Sequence, residues 1–484
     1  MALATGHLGS GLRLHPRYLG PIGLVLWTAT LWSLLTPGVF AHDSMMSLYE
    51  GRTGIFTSNQ PPMLGYLWNL LDGLGTGASL LILISAFGLT LGSYLILRRV
   101  LSAPLSLAIM MLITIFPPIF TQIGTINKEA IPANLIMLCF AMICYLDDST
   151  ARLSIVIVIT SAFLAAIAVM IRYQYALVAF VLIILTFISF LLTGKQKRSG
   201  YYMRWLMVGS ASFVTFLILL VVSINFTDNV DWKAPFAANW RFQLEYDLAS
   251  LMVNSPPPPQ QIIEKLNHDL AVDSGLLASI AKAEYTPSAN ITLRGFDDLL
   301  ANTSTQSIAN AVSFLEVRNP WGLFYHHAAA YADFLGFGNV CWPVQKQIPS
   351  SEPGSPDAWL AKAIHLRSFS QSIASHIIFQ SPLLPANTFL FRPLSYIILF
   401  LVTSVWLYSE RTRRAKFLWL SGLPVSAIAY TLSFAPTTPS CDFRYSYWLV
   451  VSSIVFAAVV AVCGMNFAFR RTVLGKRLNE HVRA

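Results

Sequence analysis

The chain has 484 residues, of which 55% are hydrophobic and 11% charged, and its mean hydropathy is +0.59. Soluble domains carry about 25% charged residues, and a single soluble core has no use for repeated apolar runs of about 20 residues, the length that crosses a bilayer as a helix. The composition therefore excludes an ordinary soluble globular protein, and the net charge of +9, spread over short segments between apolar runs, argues against nucleic acid as a partner.

The first apolar run covers 18–40. It has no clear polar region with small residues ahead of a cleavage point, so it is expected to remain as a signal anchor. The stretch that follows, 41–78, is longer than a connector between two spans needs to be and can form one wall of a pocket at the membrane surface. It carries Asp43 where the first helix should leave the bilayer, then Glu50, Arg52, a Gln60-Pro61-Pro62 turn and an amphipathic segment from Met63 to Leu71. Further apolar runs lie at 79–97, 103–121, 130–146, 153–171, 175–193, 205–224, 394–409, 417–434 and 447–468. Each is close to spanning length, so about ten transmembrane helices are expected.

Basic residues orient these helices. Arg13 and Arg17 precede the first run, Arg98 and Arg99 follow the second, and Arg152 lies between the fourth and fifth. Lys195, Lys197, Arg198 and Arg204 separate the sixth from the seventh, Arg411 to Lys416 the eighth from the ninth, and Arg470 to Arg477 close the chain. Every second loop is basic, the pattern of cytoplasmic loops, so both termini are expected in the cytoplasm. The expected fold class is an all-α polytopic membrane protein. An N-terminal membrane module of seven helices covers 1–225, a mostly helical outer domain covers 226–393 between helices 7 and 8, and a C-terminal module of three helices with a cytoplasmic tail covers 394–484.

Within the outer stretch, Pro256 to Pro259 is a stiff extended spacer. Gln260 to Leu270 has apolar residues at helical spacing, Trp321 to Leu335 is a second helix candidate, and Ser355-Pro356-Asp357 is a helix start. Asp297 and Asp298 read as a solvated turn. His326 and His327 are adjacent, so on a helix they point in different directions and lack the spacing of an H-E-x-x-H metal pair. A structural role is expected of them, and no metal or other cofactor is required.

Polar residues beside apolar spans are costly and therefore candidates for function. Asp43 could accept a proton from an attacking hydroxyl; it could equally cap a helix or pair with Arg52. Lys128 and Glu129 open the fourth run, Arg172 ends the fifth, Arg392 precedes the eighth, and Arg444 lies in Cys441-Asp442-Phe443-Arg444-Tyr445 ahead of the last. Four cations at one membrane surface could hold a lipid phosphate through charge-assisted hydrogen bonds, or snorkel singly to headgroups. No P-loop, no dinucleotide-binding glycine motif and no G-x-S-x-G elbow is present. Cys139, Cys144 and Cys463 fall within spans. Cys341 and Cys441 fall in outer loops, where an oxidising compartment would permit a disulfide between them.

This layout resembles the C-type (GT-C) superfamily of integral membrane glycosyltransferases, and within it the bacterial O-antigen glucosyltransferase type. The resemblance covers most of the chain as a layout, with an acidic residue after the first span, a long first outer loop, and a large outer loop after the seventh span. Asp43 matches the superfamily's acidic residue in the first loop. Gln60-Pro61-Pro62 resembles the His-Pro-Pro turn of many members, with Gln in place of His. Asn127-Lys128-Glu129 resembles the Lys-Asp pair that opens their fourth span, with Glu in place of Asp. Glu245-Tyr246-Asp247-Leu248-Ala249 and Phe443-Arg444-Tyr445 resemble segments of their large loop and of a late span.

The resemblance implies transfer of a sugar, such as glucose, from a polyprenyl-phosphate donor to an O-antigen or other cell-envelope glycan at the periplasmic face of the inner membrane. Asp43 would be the general base, and Lys128, Arg172, Arg392 and Arg444 would bind the donor phosphate. Glu50, Arg52, Gln60, Glu129 and Tyr445 would shape the substrate pocket. An O-antigen polymerase or ligase acting on a polyprenyl-pyrophosphate glycan is the alternative, although it leaves Asp43 without a task. A lipid-linked sugar transporter is disfavoured by the lack of an inverted repeat and of ionisable residues at mid-membrane depth.

Overall fold

The computed structural model describes residues 16–36, 38–40, 42–54, 61–74, 77–146, 151–193, 239–254, 260–287, 293–337, 389–409, 418–436 and 442–464. Gln60, the seventh apolar run, the Pro256–Pro259 spacer, the Ser355-Pro356-Asp357 helix start, Cys341 and Cys441 lie outside the described residues.

The N-terminal part runs α1 (Pro16–Leu35), β1 (Val39–Phe40), α2 (His42–Thr53), α3 (Met63–Asp72), α4 (Gly77–Arg98), α5 (Ala103–Ile115), α6 (Pro117–Ile123), β2 (Thr125–Ile126), α7 (Ala130–Ile143), α8 (Ala151–Ile171) and α9 (Tyr175–Thr193). Then come α10 (Asn239–Asn254), α11 (Gln260–Leu270), α12 (Ser274–Glu284), α13 (Arg294–Leu300), α14 (Thr305–Arg318) and α15 (Pro320–Leu335). A single 3-10 turn, Phe389–Phe391, leads into α16 (Pro393–Ser409), α17 (Leu418–Leu432) and α18 (Phe443–Gly464), whose first four residues are also 3-10.

Within the described residues the architecture is helical apart from the two-residue strands. Among the described residues, α4, Leu153–Ile171 of α8, and α18 are long and apolar enough to cross a membrane. A fourth span results if α5 and α6, which meet at 76°, are taken together. The other apolar helices are shorter: Leu19–Leu35, Ala130–Ile143, Tyr175–Ile188, Pro393–Leu407 and Leu420–Leu432. Val25, Leu26, Leu112, Phe163, Phe180, Phe187 and Val405 project outward from these helices. Such an apolar exterior suits lipid rather than water.

The α5–α6 bend has a sequence cause. Pro117 and Pro118 lack backbone N–H groups, so a helix cannot continue through them, but both fit the first turn of a new one. The chain then turns at Gly124 and lays β2 parallel to β1, with Val39 opposite Thr125 and Phe40 opposite Ile126. The Val39 N–H donates to the Gly124 carbonyl at 2.8 Å. This short pairing fixes the exit of α1 against the approach to α7.

Helix α4 lies against α7 where Gly88 and Gly92 form one small-residue stripe. A Cβ at Gly88 would come within 2.8 Å of the Asn134 carbonyl oxygen, so the backbones can approach this closely only with glycine there. Asn134 also donates to Ser85 Oγ at 2.7 Å and accepts from Tyr447 Oη at 3.0 Å, which joins α4, α7 and α18 through one satisfied buried amide. Cys139 and Cys144 are buried free thiols in this region, as their apolar setting implies.

The segments α10–α15 have a separate core that includes Leu248, Leu251, Leu270, Phe296 and Ile308. The amphipathic 260–270 segment is helical as expected, and the 321–335 candidate begins one residue earlier, at Pro320, behind an Asn319 cap. The Asp297-Asp298 pair is not a solvated turn. It lies within α13, and Asp297 is half-buried against Glu245 of α10. Burial, and then the negative charge of Glu245, push the Asp297 carboxyl up to about 7. The folded state therefore keeps a proton that the unfolded chain releases near its ordinary value of 3.8. The stabilisation is complete below the unfolded value and is lost as pH rises through the folded one. Melting temperatures of the full chain in detergent, followed from acid to slightly alkaline pH, are expected to fall more steeply in wild type than in Asp297→Asn. Parallel profiles would show that Asp297 does not hold this proton.

Candidate functional site

The candidate site forms where the β1–β2 pairing brings the start of α2 beside the start of α7. Asp43 sits in the first turn of α2, where the exposed N–H groups of a helix favour an acid. The neighbouring Ser44 hydroxyl donates to the Ile126 carbonyl at the end of β2. On the facing strand exit, Asn127 caps α7, its Oδ1 accepting from the backbone N–H groups of Glu129 (3.1 Å) and Ala130, while its Nδ2 donates to Gln122 Oε1 at 3.0 Å. This cap holds Lys128 and Glu129 in a short turn, with Lys128 directed to Asp43.

Three basic and three acidic side chains then meet. Asp43 Oδ2 lies 3.1 Å from Lys128 Nζ and 3.0 Å from Arg444 Nη1. Arg444 Nε lies 2.7 Å from Asp442 Oδ2. Arg172 Nη1 lies 2.7 Å from Glu129 Oε1, and the Arg172 guanidinium stands over the rings of Tyr445 (4.8 Å) and Phe434 (5.4 Å). Tyr445 takes part directly, since its hydroxyl accepts from Arg444 Nη2 at 3.3 Å. Glu129 is wholly buried, and Tyr175 donates to its carbonyl oxygen at 2.8 Å. The side chains of Asp43, Lys128, Arg172 and Arg444 keep between 8% and 16% exposure, so this edge of the cluster can be reached from outside.

The electrostatics follow from burial and neighbours. Burial alone would raise the Asp43 carboxyl, but the charges of Arg444 and Lys128 together outweigh it and hold it well below the usual carboxylate range. Burial lowers the Lys128 ammonium even though Asp43 pulls the other way. Asp442 is pushed up to about 6, with burial prevailing over its bond to Arg444, and nearby Glu129 adds to the rise. Asp43 is therefore a charged acceptor fully engaged with two cations, whereas Asp442 is the cluster member closest to taking a proton.

Of the residues singled out in the sequence, Asp43, Lys128, Glu129, Arg172, Arg444 and Tyr445 come together. Arg52 does not pair with Asp43; it bonds Asp72 of α3 at 2.8 Å on an exposed surface and ties α2 to α3. Glu50, also on α2, is fully buried. Arg392 makes no ion pair among the described residues, and its Nε is buried without a hydrogen-bond partner. It follows Phe391, whose ring meets that of Phe443 at 5.1 Å, one residue before Arg444. Asp442 is the member with no visible task in the sequence, although an acid two residues before a buried arginine is a signal that could have found it. Comparison with family models, with curated proteins and with solved structures finds no match.

The cluster also distinguishes buried from exposed pairs. Glu129→Ala leaves Arg172 buried without its counter-charge, which is expected to cost about 3–5 kcal/mol. Arg52→Ala removes an exposed pair and should cost under about 1 kcal/mol. Thermal unfolding of the two purified variants checks the contrast; equal losses would mean that the Glu129–Arg172 pair is not desolvated as described.

Proposed function

We propose that this chain is a membrane glycosyltransferase that moves a hexose such as glucose from a polyprenyl-phosphate donor to a hydroxyl of an O-antigen or other cell-envelope glycan. The observation that carries the reading is the Asp43 carboxylate shared by Lys128 and Arg444 beside the end of the first apolar helix. In this reading the chain has about ten spans, cytoplasmic termini and an outer domain over 226–393, so that the cluster faces the periplasm of an inner-membrane protein.

A lipid phosphate carries the charge that Lys128 and Arg444 now receive from Asp43. Its arrival draws both cations toward its own oxygens and leaves Asp43 free to act on the acceptor. The acceptor oxygen attacks the anomeric carbon and its proton passes to Asp43. The bond from the anomeric carbon to the phosphate oxygen breaks, and its electron pair leaves with the polyprenyl phosphate. Lys128, Arg172 and Arg444 stabilise the charge that develops on that oxygen, and the unpartnered Nε of Arg392 supplies a further donor. The lipid tail lies between helices. Glu129 and Tyr445 hold the cations in place. The chemistry uses protein cations for the phosphate and needs no metal at this site.

A transfer assay tests the proposal. Protein in nanodiscs receives radiolabelled polyprenyl-phosphate glucose and envelope extract, then a panel of other donors that includes pyrophosphate-linked glycans. Wild type is expected to label a glycan, and Asp43→Asn to lose roughly 100- to 10,000-fold in rate while reaching normal membrane abundance. Equal transfer by both proteins would remove Asp43 as the base. Transfer only from pyrophosphate-linked glycans would replace the proposal with polymerase or ligase activity.

A further inference from the structure

His326 and His327, expected to diverge, converge instead on one carboxylate. Both lie on α15, and their ring centroids are 4.9 Å apart with the planes inclined at 50°. His326 Nε2 lies 3.3 Å from Asp247 Oδ1 and His327 Nε2 lies 3.7 Å from it. Asp247 is on α10, so the three groups join two helices of the outer core. One donor atom from each of the three residues falls within 4.8 Å of the other two.

Three features go beyond an ordinary acid–histidine contact. The His326 side chain is wholly buried, yet among the described residues its Nε2 has no hydrogen-bond partner even with a carboxylate oxygen 3.3 Å away. Its other nitrogen, Nδ1, is 2.7 Å from Tyr285 Oη, and the ring is held in place by Tyr246, whose centroid is 4.6 Å away at a near-perpendicular angle. Asp247 Oδ1 accepts from Gln243 Nε2 at 2.9 Å, which fixes the carboxylate. This is the arrangement of a metal-ligating histidine, in which one nitrogen is oriented by an outer partner and the other is left open toward the ion.

We propose that Asp247, His326 and His327 form a binding site for a divalent transition-metal ion of the zinc class. Two imidazoles and one carboxylate suit zinc, and three protein ligands leave the fourth tetrahedral position to water. Bonds of about 2.0–2.1 Å set donor atoms of a tetrahedral zinc roughly 3.3–3.5 Å apart. The two separations from Asp247 Oδ1 are already close to that, so a small inward movement of the His327 ring completes the set. His327, whose side chain is 19% exposed, gives the ion its way in. The ion clamps α10 to α15. The site is independent of the glycosyltransferase reading and stands or falls separately from it.

The test is metal analysis of the full-length protein in detergent, purified with a tag that lacks histidine, stripped with a chelator and reloaded with zinc or with cobalt. Wild type is expected to keep one zinc per chain after gel filtration and to give the intense visible absorption of four-coordinate cobalt. His327→Ala, altered at the most exposed ligand, should keep its elution volume and lose both signals. Tyr285→Phe should retain the site with affinity about 10–100-fold weaker, as loss of an outer partner does. Zinc content and cobalt spectrum unchanged in His327→Ala, or no retained zinc in well-folded wild type, would overturn the proposal.

Discussion

The rest of the charged cluster depends on one carboxylate. Asp43 Oδ2 meets Lys128 and Arg444, residues separated in the chain by several helices, and this single contact ties α2, the start of α7 and the start of α18 together. Each partner is then held from behind. The Asn127 cap positions Lys128, and the Asp442 carboxylate and Tyr445 hydroxyl position Arg444. Arg172 stands behind both through Glu129 and the Tyr445 ring. Desolvating an ion costs several kcal/mol even after relaxation, and a buried pair seldom recovers much more than that. Six buried or half-buried charges are thus a poor way to obtain stability, which comes here from apolar packing and from the Gly88–Asn134 approach. Their placement is better explained by a demand for fixed charge at a surface position.

Much of the helical framework was legible in the sequence, because a long apolar run has few alternatives to a helix in lipid. The Pro117-Pro118 break, the amphipathic 260–270 helix and the α15 start behind Asn319 follow from local chemistry. The candidate site was legible in part. Asp43, Lys128, Arg172 and Arg444 stand out because charge beside an apolar run is expensive wherever it occurs. Their convergence was not legible, since it depends on a two-residue β pairing between segments with no sequence signal of their own. The same limit explains Arg52, whose partner Asp72 lies on α3, and Asp297, whose protonation depends on burial and on Glu245 from another helix. The convergence of the adjacent histidines on Asp247 was not legible for a related reason. A helix separates neighbouring Cβ atoms, but imidazoles are long enough to reach back to a shared acceptor on a facing helix.

The two polar centres are built on different principles. The Asp247–His326–His327 trio sets two imidazoles around one carboxylate, a donor set that under the proposal above takes a cation. The Asp43 cluster has its charges matched, three basic against three acidic, and lacks nothing at rest. A matched cluster can still bind an anion if the anion competes with one of its own acids. Asp43 is the acid suited to give way. Its side chain is 16% exposed, while those of Glu129 and Asp442 are 0% and 1% exposed, so water can solvate it when its partners leave.

That exchange gives the ion pairs a chemical meaning. A carboxylate held by two cations is a weak base, because both stabilise its charged form. In the proposed transfer reaction, phosphate binding would remove them and so raise its proton affinity. The same step would deliver the cations to the oxygen on which negative charge develops. Arg172 cannot follow them easily, as Glu129 and the two aromatic rings hold it on their side. In the proposed reaction it would serve as a fixed positive background while Lys128 and Arg444 change partners. Asp442, already near the point of taking a proton, can release Arg444 by becoming neutral at little cost. Under that proposal, a resting ion-pair network of this kind would keep the base inactive toward water and couple its activation to the arrival of an anionic donor.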